Sequence, residues 1–215
     1  MTASGLSSPD ATASFEARLT TLSGDPLPPD RADAAVVVLV RPGVSGLEVL
    51  AEQRAERPGD PWSGQVGLPG GRRDPLDRSM AETALRELQE EVGFPPTSVV
   101  GLPRVFDVRR ARPSGLRVAV FVGRYSNSAS ETSRVDPEEV ATTFWLPLDA
   151  LARTESRTRQ TMFGEIQVET VEFEGHVVWG FTLRVLRDFI AWLSAPDSSW
   201  PAPPGELQRW RSQAL

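Results

Sequence analysis

The sequence predicts an α/β fold, a mixed β-sheet sandwiched between helices, and three observations carry that expectation. Short apolar or alternating runs of strand character recur from Ala34 to Val178. They flank one strongly capped helical stretch, and a second amphipathic stretch follows near the C-terminal end. The length of 215 residues, 40% hydrophobic and 24% charged, suits one good core and leaves no room for a second large domain. We therefore expect a partly ordered arm over 1–30, one domain over 31–194, and a Pro- and Ser-rich tail over 195–215.

The arm is rich in Ser, Ala, Asp and Pro and carries one weak helical stripe at Phe15, Leu19 and Leu22. Ala34 to Val40 is a continuous apolar run and reads as a buried strand; Pro42 to Gly46 turns the chain into a second strand over Leu47 to Gln53. A Pro/Gly-rich loop with one Trp follows, AERPGDPWSGQVGLPGG, a composition common around sites. Beyond the capped helix, Pro95 and Pro96 enforce a break. Val99 to Leu102, Arg104 to Val108 and Leu116 to Arg124 read as strands, with Arg109, Arg110 and Arg112 in the loop before the last. Those three guanidiniums suit either a phosphate grip or a solvated hairpin loop. Ser126 to Ser133 is polar linker; Thr143 to Leu148 is a strand, followed by a short helix at Leu148 to Arg153. Gly164 to Val178 reads as a hairpin turning at EFEGH, and Phe181 to Leu193 as an amphipathic helix. His176, the single His, sits on a predicted strand with no acidic neighbour in sequence, so its expected role is structural, with a general-base role left open.

The most informative stretch is GGRRDPLDRSMAETALRELQEEVGF, Gly70 to Phe94. Ser79 and Glu82 form a capping-box pair and Gly93 supplies the stop, which predicts a helix from about Met80 to Val92. Ala81, Ala84, Leu85, Leu88 and Val92 share one stripe, and Glu87, Glu90 and Glu91 cluster on a face away from it. As bare anions at i,i+3 and i,i+4 they repel; a divalent cation reverses that sign. Hard oxygen donors, no Cys and one His suit Mg²⁺ or Mn²⁺ rather than Zn²⁺. Arg86 stands within reach of Glu82 and Glu90 and can orient the acids. The tight turn at Pro69, Gly70 and Gly71 offers the Gly70 carbonyl as a further metal ligand.

Together these residues resemble the Nudix hydrolase signature. Its second half is matched at every fixed position, by Arg86, Glu87, Leu88, Glu90, Glu91, Gly93 and Phe94. In its first half, Gly71 lies fifteen residues before Arg86 rather than fourteen, and Asp77 stands where the signature has a supporting Glu, as one inserted loop residue would produce. The resemblance implies the Nudix α/β/α architecture and Mg²⁺- or Mn²⁺-dependent hydrolysis of a diphosphate linkage. It places metal on Glu87, Glu90, Glu91 and the Gly70 carbonyl, and a ligand or general base just ahead of the Thr143 strand, where Glu139 stands beside Glu138. GQVGLPGGRRDPLD and VWGFTLRVL further resemble the coenzyme A diphosphatase branch, whose members cut coenzyme A into 3′,5′-ADP and phosphopantetheine. In the branch's extended motif Arg54 and Gly64 have counterparts one residue too far apart, Leu68 replaces an aromatic, and Asp60 replaces an Arg that Arg57 can stand in for. Arg54, Arg57, Arg109, Arg110 and Arg112 are the candidates for holding a substrate phosphate. ADP-ribose, NADH and nucleoside triphosphates are the alternative substrates; a non-catalytic nucleotide-binding module is the alternative class.

The rest of the composition narrows the partners. A net charge of −6 argues against a nucleic-acid polymer and for a small-molecule diphosphate. The expectation is a cytoplasmic protein without membrane spans or thiol chemistry; a homodimer is left open.

Overall fold

A computed structural model of the chain describes residues 9–22, 27–60, 62–111, 114–126, 136–161 and 164–195. The core opens with β1 (Ala34–Pro42) and β2 (Leu47–Arg54), continues through two short strands, β3 (Val66–Gly67) and β4 (Gly70–Arg72), and then enters a helix over Met80–Val92. Next come β5 (Val99–Arg110), β6 (Arg117–Tyr125), β7 (Val140–Pro147), β8 (Glu155–Thr161), β9 (Gly164–Phe173) and β10 (His176–Trp179). Counting a helix at Pro9–Leu19 as α1, the Met80 helix is α2 and Gly180–Ser194 is α3. None of the described helices is long and apolar enough to cross a membrane.

β1 to β7 form one mixed sheet: β1 runs parallel to β6, whereas β5 pairs antiparallel with β6 and β7 antiparallel with β2. The continuous apolar run of β1 follows from its central place, because both of its faces are covered. Ala35, Val37 and Leu39 pack with Met80, Ala84, Leu88 and Val92 of α2. Val38 and Val40 pack on the opposite side with Phe15 of α1 and Phe189 and Trp192 of α3. The sheet is thus sandwiched between helices, as the alternating strand and helix patterns predict. β8, β9 and β10 make a separate antiparallel sheet.

Three elements differ from the sequence reading. The stripe at Phe15, Leu19 and Leu22 is part of the core rather than of an arm: Phe15 stands edge-on to Phe189 at 6.2 Å, and Arg18 donates to the Trp192 carbonyl at 2.9 Å. β5 is one strand where two were expected, since Pro103 is tolerated on this edge strand at an interruption of register between Val100 and Arg104. β8, ESRTRQT, gave no signal because its side chains are polar and largely exposed; its order comes from pairing with β9. Most of the expected linker, residues 127–133, lies outside the described residues.

The α2 boundaries come out as predicted, and for the predicted reasons. Ser79 Oγ accepts from the Glu82 amide at 3.2 Å, and Gly93 ends the helix in the left-handed region at φ 76°. The Glu82 carboxylate reaches one residue further back than a capping box requires, accepting from the Arg78 amide at 2.7 Å. Ser79→Ala is expected to cost about 1 kcal/mol in urea denaturation with an unchanged slope; no measurable loss would show that the cap is redundant.

Candidate active site

The sheet forks, and the site lies in the fork. β1 and β2 pair only at Val40 to Pro42 against Leu47 to Val49. Below that, β1 takes Gly70 to Arg72 as its partner and β2 takes Val66 and Gly67, so the segment 66–72 is wedged between two strands that have parted. The Pro69 carbonyl accepts from the Val37 amide at 2.9 Å and fastens the wedge. Gly70 has φ 147°, and a Cβ there would stand 2.2 Å from the Ala35 carbonyl oxygen. Only glycine fits.

α2 lies over this wedge and lowers two of its acids into it. Glu91 is 2% exposed and its Oε2 accepts from the Gly70 amide at 2.8 Å. Glu87 is also buried, and its carboxylate fills the space a Cβ on Gly71 would need, 2.6 Å away. Of the three acids expected on an outward face, only Glu90 is exposed, because Glu87 and Glu91 flank the Ala84 and Leu88 stripe where the parted strands leave depth for them. Burial, helped by the charges of Glu90 and Glu139, raises the Glu87 pKa against the pull of Arg86.

Arg86 organises the outer edge. It donates to Glu90 at 2.7 Å, lies 3.0 Å from Glu87, and grips Asp77 through Nε and Nη2 at 3.2 and 3.1 Å. Its hydrogen bonds to Asp77 foremost keep it firmly charged. Burial works against the Asp77 charge, yet Arg86, the Asp74 amide and the Thr83 hydroxyl together hold it below the usual carboxylate range. Asp77 therefore fixes Arg86 from the loop ahead of α2.

A fourth carboxylate, which sequence reasoning missed, completes the cluster from the strand side. Glu52 on β2 is 1% exposed and hydrogen-bonded to Glu91; its Oε2 has no partner. Burial raises both carboxyls, and each one's proximity to neighbouring acids adds to the shift. The only sequence signal was a charge in a strand of mostly buried residues. Half-buried Glu139 stands close enough for its charge to act on Glu52 and Glu87, and its carbonyl accepts from the Ala55 amide at 2.9 Å. The turn that carries it hangs from the end of α2, with the Asp136 amide donating to the Glu91 carbonyl at 3.3 Å. Among the described residues no three acidic or imidazole groups stand in a ligating arrangement. The donor set suits a hard divalent cation all the same: all-oxygen, crowded, and with one buried oxygen unpaired.

The NUDIX domain family matches residues 30–163, more than half of the chain. The chain belongs to the Nudix family. It is 34% identical over 128 residues to the uncharacterized Nudix hydrolase NudL of Yersinia enterocolitica, a match covering 58% of this chain and 64%, just under two thirds, of that protein. It is 33% identical over 183 residues to the mitochondrial coenzyme A diphosphatase NUDT8 of Homo sapiens, covering 81% of this chain and 75% of that protein. Among solved structures it resembles an Ap4A hydrolase of C. elegans in a binary complex, with TM-score 0.45 and 20% identity over 55% of this chain and 83% of that one.

Around the Nudix core, the two stretches that resemble the coenzyme A branch meet. Thr182 at the start of α3 donates to the Val66 carbonyl at 3.0 Å, and Gln53 Nε2 donates to the Gly64 carbonyl. Gln53 in turn contacts His176 Nδ1 at 3.1 Å, and the imidazole stacks on Phe144 at 4.0 Å. His176 thus braces the Gly64 loop, the structural role expected of it.

The arginines divide. Arg54 faces the acids, its charge acting on Glu52 and Glu91, and pairs with Asp60 at 3.1 Å. Asp60, in the place of the second Arg of the extended motif, has become the partner of the first. Arg57 is exposed beside it. Arg109 is a correction: it is paired with Asp107 at 2.7 Å and with Asp188 of α3, on the sheet face opposite α2. Two carboxylates already occupy its donors, so it ties β5 to α3 rather than reaching for phosphate. Arg110 leans back on the Gly115 carbonyl at 3.4 Å, and Arg112 lies outside the described residues.

Proposed function

We propose that this chain is a divalent-cation-dependent diphosphatase acting on coenzyme A or its derivatives, releasing 3′,5′-ADP and phosphopantetheine. The observation that carries the hydrolase reading is the fork itself: Glu87, Glu91 and Glu139 come together from α2 and the β7 turn around a glycine wedge, and Arg86 and Arg54 offset only part of their charge. Residues that matter only for folding do not need to be buried acids whose charge both burial and their neighbours oppose.

Glu87, Glu90, Glu91 and the Gly70 carbonyl would hold Mg²⁺ or Mn²⁺, which supplies neutralisation of the diphosphate oxygens and a more acidic attacking water. Arg86 keeps Glu87 and Glu90 oriented while leaving part of their charge available. Glu139 and Glu87 are the candidates for taking the proton from the attacking water. The coenzyme A assignment draws support from the similarity to NUDT8 and from the contact between the Gly64 to Val66 loop and the start of α3. Arg54, released from Asp60, and exposed Arg57 are the cations for the substrate's 3′-phosphate.

A hydrolysis panel with Mg²⁺ and Mn²⁺, products identified by mass, tests this. Coenzyme A is expected to be cut faster than dephospho-coenzyme A, ADP-ribose, NADH or nucleoside triphosphates, with Arg54→Ala and Arg57→Ala narrowing the margin. Equal rates for coenzyme A and its dephospho form would remove the 3′-phosphate contact. Hydrolysis of ADP-ribose alone would leave only the general Nudix activity, and no hydrolysis at all would favour a binding module.

A further inference from the structure

Resting on that reading, we infer that Glu52 is an additional ligand of the cation, reaching it from the sheet while Glu87 and Glu91 reach it from α2. Four observations place it there. Glu52 is 1% exposed and its Oε2 has no hydrogen-bond partner. A buried carboxylate oxygen without a protein partner is costly, and a divalent cation would supply one. Its other contact is the Glu91 carboxyl, itself fixed by the Gly70 amide, so the unpaired oxygen belongs to the same cluster.

The opposite strand position adds the third observation. Glu52 pairs with Gly67 across β2 and β3, and a Cβ on Gly67 would lie 3.6 Å from Glu52 Oε1. Glycine at 67 therefore puts no side chain of its own against the Glu52 carboxyl. The fourth is charge: Arg54, whose field reaches Glu52 and Glu91, also serves Asp60, while Arg86 also serves Asp77 and Glu90. Arg54 is shared with Asp60 and so offsets only part of the Glu52 charge.

The test uses Mn²⁺ alone, without substrate, on the full chain, reading affinity by calorimetry and by the unbound Mn²⁺ spin-resonance signal. Glu52→Gln keeps shape and removes charge; it is expected to bind Mn²⁺ about 10- to 100-fold more weakly, to melt no lower than the parent without metal, and to gain less melting temperature on adding Mn²⁺. Glu91→Gln runs beside it. Parental Mn²⁺ affinity in Glu52→Gln, with binding weakened in Glu91→Gln, overturns the inference while leaving the site itself in place. Parental affinity in both variants overturns the inference and the proposed site together. Should Glu52→Gln not fold, Glu52→Asp, which withdraws the carboxylate by one methylene, is measured instead, and parental affinity there rejects Glu52 as a ligand equally well.

Discussion

Glu91→Gln is expected to lower turnover by about 10²- to 10³-fold, the scale seen when one preorganised electrostatic group is removed, without lowering the melting temperature. The two halves of that result have separate causes. Glu91 is buried at 2% exposure with Glu52 against it, and burial and Glu52 already oppose its charge, so a neutral amide of the same shape costs the fold little. The amide oxygen can still accept from the Gly70 N–H, which preserves the bond that links α2 to the wedge. What is lost is the anionic oxygen at the fork. Steady-state kinetics at saturating Mn²⁺, with a thermal melt on the same sample, separates the two. Near-parental turnover would remove Glu91 from the site, and a large drop in melting temperature would recast it as a structural group.

Gly70→Ala is expected to be the most damaging single substitution for stability, costing about 4 kcal/mol. Backbone at φ 147° is open to glycine and strained for alanine, worth about 1–3 kcal/mol. The new methyl would also stand 2.2 Å from the Ala35 oxygen and 2.5 Å from Val36 Cα, and overpacking against backbone adds a further 1–3 kcal/mol or so. Gly115→Ala is the control, because φ is also positive there at 73° but nothing lies within 4 Å of the added carbon. It should lose only about 1 kcal/mol. If denaturant titrations give both variants the same stability, close approach at the wedge is not what requires glycine at position 70.

Much of this molecule is local chemistry and was open to reading in sequence. α2 begins at Ser79 and stops at Gly93 because a hydroxyl and a left-handed glycine satisfy backbone groups within a few residues. β1 is a strand with two covered faces because seven consecutive residues from Ala34 are apolar and then a Pro-Gly turn follows. The family, too, lies in a run of contiguous residues. β8 escaped because pairing, which a polar strand does not announce, is what orders it.

From the sequence alone follow the sandwich of sheet between helices, the extent of α2, the identity of Glu87, Glu90 and Glu91 as a set, and Arg86 as their organiser. Only the tertiary structure decided which of those acids are buried, that Arg109 is paired to Asp188 across 79 positions, and that Glu52, 39 residues before Glu91, shares its cavity. The reason is physical. Helix caps and periodicity act over one or two turns of chain, whereas the charge state and orientation of a carboxylate depend on how deep the forked sheet lets it sink and on which distant side chains arrive beside it.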